Sequence, residues 1–168
     1  MKHPFEHAVT DHGAVVLRVC RAVLGVQDAD DAWSETFLSA LRAWPELPED
    51  ADVRGWLITI AHRRAIDVAR ARSRRALPVE ALPERAAGPD SQPEHELPDD
   101  ELWLALARLP DKQRRCVAYH HVAGLTHTEV AAIVGGTPAA ARRACADGIA
   151  RLRLTYAPST REDVEHHA

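Results

Sequence analysis

Aromatic residues are scarce in this chain, at 5%. The abundance of alanine, leucine, arginine and glutamate beside that scarcity favours helix over sheet. Cysteine is scarcer still. Cys20, Cys116 and Cys145 are odd in number, far apart and form no Cys-x-x-Cys pair. They read as three buried, reduced thiols rather than a disulfide framework. No run approaches the ~18 apolar residues that a membrane span needs. The N-terminus, Met1-Lys2-His3-Pro4-Phe5-Glu6-His7, carries no apolar stretch of the signal-peptide kind. A cytoplasmic protein without membrane insertion is therefore expected. There is also no Gly-rich phosphate loop, no nucleophile elbow and no His-Glu-x-x-His motif. The ten histidines include His120-His121 and His166-His167, but no catalytic residue, cofactor site or metal site is expected.

What is present is a chain of 168 residues, 46% hydrophobic and 27% charged. That is enough for one ordinary domain or two small ones, at ~100–200 residues per domain. The formal net charge of −4 argues at first against nucleic acid. Its distribution reverses that impression. Residues 28–52 hold eight acids and one base, a net of −7, and residues 54–75 hold seven arginines and one acid, a net of +6. Residues 76–101 return to −7, and residues 102–157 to +5. Alternating blocks let one surface bind phosphate and another bind a basic protein.

Residues 76–100 contain five prolines, many acids and no helical period. They read as a linker. The expected organisation is an all-α protein: an N-terminal three-helix unit over 1–75, an acidic Pro-rich linker over 76–98, a four-helix unit over 99–157 and a polar tail over 158–168. The first helix spans roughly 4–24 and ends at Gly25. The second starts with Asp28 as N-cap, buries Trp33, Phe37, Ala40, Leu41 and Trp44, and stops at Pro45. The third begins near Asp52. In the C-terminal unit, helices are expected near 99–108 and 111–123. Thr126-His127-Thr128-Glu129 is a capping box that opens a third, ended at Gly135-Gly136. Thr137 then caps a fourth with Pro138 in its first position. Two capped helices joined by a tight Gly-containing turn form a helix-turn-helix.

Three constellations carry chemistry. Thr137, Arg142 and Arg143 stand at the start of the second helix-turn-helix helix, the end that enters a major groove. Arginine reads guanine edges, and a cap hydroxyl beside free amides suits phosphate. A plain helical hairpin with a solvated basic face is the bland alternative. Next, six arginines fall within 63–75, with Trp56 upstream. Such a face follows a phosphate backbone, and an aromatic ring can stack on exposed bases. Trp56 equally suits the core. Last, Asp28, Asp30, Asp31 and Glu35 open the second helix beside Trp33 and Phe37. They serve either a basic partner or the helix dipole.

The stretch Asp28-Ala-Asp-Asp-Ala-Trp-Ser-Glu-Thr-Phe-Leu-Ser-Ala-Leu-Arg-Ala-Trp44 resembles the polymerase-clamp helix in region 2 of extracytoplasmic-function (ECF) sigma factors of the sigma-70 family. Arg54-Gly-Trp-Leu-Ile-Thr-Ile-Ala-His-Arg-Arg-Ala-Ile-Asp-Val-Ala-Arg70 resembles the segment that melts and reads the −10 element. Leu109-Pro-Asp-Lys-Gln-Arg-Arg-Cys-Val-Ala-Tyr119, with Ala123 to Gly135, resembles region 4, which reads the −35 element. The resemblance implies a transcription initiation factor, not an enzyme, whose partners are core RNA polymerase and promoter DNA, with an anti-sigma protein as a further partner. It places Asp31, Glu35, Phe37 and Leu38 at the polymerase. It places Trp56, Arg63, Arg64, Asp67 and Arg70 in the −10 segment, and Arg114, Arg115, Thr126, Thr137, Arg142 and Arg143 toward −35 DNA. The chain departs from the family pattern at Ala144, Asp147 and Gly148, where further basic residues are common. Weak −35 reading is expected there, because glycine weakens a helix interior by ~1 kcal/mol relative to alanine. A stand-alone helix-turn-helix regulator and a sigma-like interaction module remain alternatives.

Overall fold

The computed structural model describes residues 3–75 and 100–156. The expected linker over 76–98 and the tail over 158–168 lie outside the described residues. Every regular element among the described residues is helical. The N-terminal unit comprises α1 (Phe5–Leu24), α2 (Val26–Ala43) and α3 (Val53–Arg75), with a short 3-10 turn at Trp44–Glu46. The C-terminal unit comprises α4 (Asp100–Ala107), α5 (Asp111–Val117), α6 (His127–Val134) and α7 (Pro138–Thr155). A π turn over Ala118–Val122 extends α5.

The first three helices follow from their apolar stripes. Val16, Val19, Cys20 and Val23 of α1 are buried against Ala29, Ala32, Phe37 and Ala40 of α2 and against Leu57, Ile58 and Ala61 of α3. Five aromatics close the open end of this bundle. Phe5 meets Phe37 and Trp44 edge-on, Trp33 leans on Phe37 at 4.7 Å, and Trp44 lies 6.1 Å from Trp56. Aromatic pairs at such distances contribute ~0.5–1.5 kcal/mol each beyond area burial. Trp33 also donates its indole N–H to the Gly13 carbonyl at 2.9 Å. A Cβ at position 13 would make only ordinary van der Waals contact with the Trp33 ring, at 3.6 Å.

Two expectations about α2 need correction. The helix begins at Val26, not after an Asp28 cap, because Gly25 turns the chain in one residue at φ 84°. Asp28 therefore sits inside the first turn, where its charge suits the helix dipole. Leu41, expected inside, is 50% exposed. Leu104 of α4 is likewise exposed, whereas Ala105, Leu106 and Leu109 enter the core.

The C-terminal unit keeps its expected caps. Thr126 Oγ1 accepts from the Glu129 amide at 3.2 Å, and the Thr126 amide donates to Glu129 Oε2 at 2.7 Å. Thr137 Oγ1 accepts from the Ala140 amide at 3.1 Å. Gly135 and Gly136, at φ 89° and 88°, form the sharp turn between α6 and α7. Val130, Ala131, Ala141, Cys145 and Leu152 are buried with Cys116 and Val117 of α5. All three cysteines are free and buried, and burial pushes the Cys20 thiol up to about 12.

The two units are docked. Helix α1 packs on α4 and α5, α3 reaches α6, and one continuous core runs through both. At its centre, His62 of α3 and Tyr119 beyond α5 share a 2.6 Å hydrogen bond. Both are buried, Tyr119 completely.

Candidate nucleic-acid interface

The basic run at 63–75 is helical throughout, so its side chains separate by angle. Arg63, Asp67, Arg70 and Arg74 recur at intervals of four, three and four and form one exposed stripe along α3. The other arginines of the run divide. Arg64 is half-buried, donates to Ser39 Oγ at 2.6 Å and pairs with Asp67 at 3.8 Å. Arg72 donates to the Leu24 carbonyl at 3.1 Å and pairs with Asp28. These two fasten α3 to the first two helices. Trp56 is half-buried against Trp44 and supports the start of α3 from inside.

Behind that stripe lies a group that sequence reading passed over. His62 is 7% exposed, and its imidazole is lowered to about 4 by burial first, then by the Arg115 and Arg63 guanidiniums. It is neutral near pH 7. Burial likewise drives the Tyr119 hydroxyl well above its ordinary value. Fifty-seven residues separate the pair, so no local pattern announces it.

On α2, Asp31, Glu35 and Leu38 share one exposed face at helical spacing, continued by Leu41. Leu38 and Leu41 are half exposed and stand beside the acids. Phe37 differs from its neighbours. At 6% exposure it packs on Trp33 and Phe5 and holds the face in place without being part of it.

In the helix-turn-helix, Thr126, Thr137, Arg142 and Arg143 are all exposed near the start of their helices. Both threonine hydroxyls already accept cap bonds. The buried stripe of α7 is Ala141, Cys145, Gly148 and Leu152, which turns Arg143 and Asp147 outward together, one turn apart. Gly148 is not a weakened position on the DNA side. A Cβ there would fall 2.7 Å from Val117 Cγ2 and 3.4 Å from the Gln113 backbone oxygen, so the glycine lets α7 lie directly on α5. The structure does not bring Arg114 and Arg115 to this surface. Arg114 donates to the Ala107 and Leu109 carbonyls and pairs with Asp111, closing the α4–α5 turn. Arg115 points toward α3, beside His62.

Among the described residues no group of three metal-binding side chains forms. The expectation that no His-x-x-x-His spacing occurs is corrected by His3 and His7, which stand four apart and stack at 5.6 Å. No described helix is long and apolar enough to cross a membrane.

The family model for sigma-70 region 2 matches residues 8–75, and that for sigma-70 region 4 matches residues 99–152. The ECF RNA polymerase sigma factor SigD of Mycobacterium tuberculosis is 34% identical over 149 residues, which are 83% of this chain and 70% of that protein. The chain belongs to the ECF sigma factors of the sigma-70 family. Another relative is the ECF RNA polymerase sigma factor ShbA of Streptomyces griseus, 29% identical over 83% of this chain and 80% of that protein. The sigma factor RpoE in its complex with the anti-sigma factor NepR from Bartonella quintana has a similar fold, with a TM-score of 0.72 and 18% identity over 90% of this chain and 95% of that one. CnrH in complex with the cytosolic domain of CnrY aligns with a TM-score of 0.63 and 21% identity, over 89% of this chain and 85% of that one. As an ECF sigma factor the chain is a transcription initiation factor that binds core RNA polymerase and promoter DNA.

Proposed function

We propose that the work of initiation is divided among three surfaces of this chain. The face of α2 bearing Asp31, Glu35 and Leu38 docks on basic polymerase, with Phe37 as its internal support. The α3 stripe of Arg63, Asp67, Arg70 and Arg74 tracks the opened −10 strand, with Trp56 and Arg64 positioning the helix. Thr126, Thr137, Arg142 and Arg143 meet the −35 duplex. Arg114 supports that unit from its turn, and Arg115 serves it only once the two units part. The chain performs no chemistry and acts in the cytoplasm, where its polymerase is. The units 1–75 and 99–157 move as separate bodies once bound. An anti-sigma protein is a partner by analogy with the complexes named above.

The observation that carries this reading is the single exposed stripe on α3. It leaves three guanidiniums free on one side while Arg64 and Arg72 anchor the other. Neutralising a phosphate backbone with such a stripe releases counterions, so binding must fall steeply with salt. The docked arrangement adds a requirement. The −10 and −35 elements stand ~25 base pairs apart, or ~85 Å at 3.4 Å per pair. Recognition helix α7 packs on α5, close to the Tyr119 contact with α3. At ~1.5 Å per residue the 23 residues of α3 and the 18 of α7 extend ~35 and ~27 Å, together short of that span, so the docked form does not reach both elements and the His62–Tyr119 contact must open.

The test is run-off transcription with core polymerase. Asp31→Lys with Glu35→Lys should abolish co-purification with the core enzyme while helicity stays intact. Arg63→Ala with Arg70→Ala should leave co-purification intact and lose promoter opening. Full activity of both double variants would overturn the assignment.

A further inference from the structure

An open cleft of about 730 Å³ lies between α3 and α5. That is within the range of small-molecule sites. Arg70 and Arg74, one turn apart, contribute from α3, and Arg115 contributes from α5. Asp67 also lines the cleft, but its ion-pair partner is Arg64. Among the described residues, no carboxylate pairs with Arg70, Arg74 or Arg115. The Arg115 Nε is buried without a hydrogen-bond partner. A strand of DNA along α3 accounts for Arg70 and Arg74. It does not account for Arg115, which comes from the other unit and faces the same space. Three like charges converging from two units oppose docking unless an anion fills the gap. Arginine forks hold phosphate oxygens in pairs. Ser73 on the same wall adds a hydroxyl.

We propose that this cleft binds a compact polyphosphate, either an inorganic chain or the triphosphate of a nucleotide, which bridges Arg70 and Arg74 to Arg115 and holds the two units docked. A single phosphate offers fewer oxygens than three guanidiniums can hold in pairs, whereas a chain of three phosphates can serve all of them. Because Arg70 also belongs to the −10 stripe, the ligand and the opened strand compete, and polyphosphate shifts the chain toward its docked form.

The experiment is calorimetric titration of the full chain, without polymerase or DNA, so its outcome is separable from the promoter reading. Sodium tripolyphosphate, adenosine triphosphate and orthophosphate are the probes. Tripolyphosphate should bind once per chain, with orthophosphate at least tenfold weaker. Adenosine triphosphate binding tighter than tripolyphosphate would identify a nucleotide ligand, and equal binding an inorganic one. Arg74→Ala and Arg115→Ala should each weaken tripolyphosphate binding about tenfold, and Arg153→Ala on the exposed side of α7 should not. Arg115→Lys, which keeps charge and loses the fork, guards against misfolding of the alanine variant and should weaken binding severalfold. The radius of gyration from small-angle scattering should not rise on ligand addition, and the thermal midpoint should rise. Absence of saturable binding would overturn the proposal. So would tripolyphosphate binding equally well to wild type, Arg115→Ala and Arg115→Lys, which would assign it to α3 alone.

Discussion

Replacing Gly148 with alanine tests whether α7 rests on α5 as described. In a solvated helix interior the change stabilises by ~1 kcal/mol, because alanine is the better helix former. Here the new methyl would stand 2.7 Å from Val117 Cγ2 and 3.4 Å from both Gln113 Cβ and the Gln113 backbone oxygen. Val117 cannot swing away easily. It is 4% exposed, and a β-branched residue in a helix has one preferred rotamer. The backbone oxygen cannot move without α5. Overpacking of this kind costs ~1–3 kcal/mol. Set against the propensity gain, a net loss of ~0–2 kcal/mol is expected. For a chain of this size that lowers Tm by up to roughly 8 °C, at ~2–4 °C per kcal/mol. Urea denaturation followed by circular dichroism measures it. Val117→Ala makes room for the methyl, so in that background Gly148→Ala should become neutral or stabilising. The coupling energy should be ~1–3 kcal/mol, the overpacking relieved, which is within the range found for residues in contact. A stabilisation of ~1 kcal/mol by Gly148→Ala in the wild-type background would refute the packing argument and restore the view of position 148 as a solvated weak point.

Tyr119→Phe removes the hydroxyl that meets His62 and leaves a buried imidazole nitrogen unsatisfied, so docking should weaken by ~1–3 kcal/mol, seen as an increased radius of gyration in small-angle scattering. Acid should do the same. His62 titrates near 4 when folded and near 6.5 when exposed, so the unfolded chain binds more protons between those values. The neutral-state stabilisation is complete above pH ~6.5 and is lost as pH falls toward 4. It amounts to no more than ~3.5 kcal/mol at ~1.4 kcal/mol per pKa unit, and His62→Gln should flatten that dependence in urea titrations at each pH. Asp147 stands one turn from Arg143 on the outward side of α7. Asp147→Arg should therefore raise run-off transcription from promoters with poor −35 elements, and no gain would mean that position 147 does not face DNA. Scrambling the −35 element should cost wild-type transcription less than scrambling the −10 element, in the same assay.

Much of the fold was legible because its boundaries are local chemistry. Gly25, Thr126, Gly135, Gly136, Thr137 and Pro138 each act on their own turn, and each sits where the sequence placed it. The α2 start was misread because Asp28 is a good cap in isolation, whereas Gly25 reverses the chain within one residue and lets the helix begin sooner. The site was less legible. Arginines look alike in a string, yet Arg64, Arg72 and Arg114 are spent on internal carbonyls, hydroxyls and carboxylates, and only the fold separates them from Arg63 and Arg70. Phe37 and Leu38 are neighbours in sequence, but one lies inside and the other half outside. Gly148 was invisible as a packing residue because the atom it avoids belongs to another helix. The docking of the two units hangs on side chains too far apart in the chain for any periodicity to connect.

The His62–Tyr119 bond has a consequence for output that concerns no particular promoter. His62 belongs to the same helix as Arg63 and Arg70, so undocking and strand capture draw on one element. The affinity of the whole chain for any promoter then equals the intrinsic affinity multiplied by the fraction of molecules that are undocked. Each ~1.4 kcal/mol added to the contact divides that fraction by ten once docking dominates. Every promoter is scaled by the same factor, and their rank order is unchanged. On the proposed reading the buried pair is thus a volume control, separate from the tuning proposed for the arginines. Substitutions of the buried pair, behind the arginine stripe, should reset the strength of the whole transcriptional response while leaving its choice of genes intact.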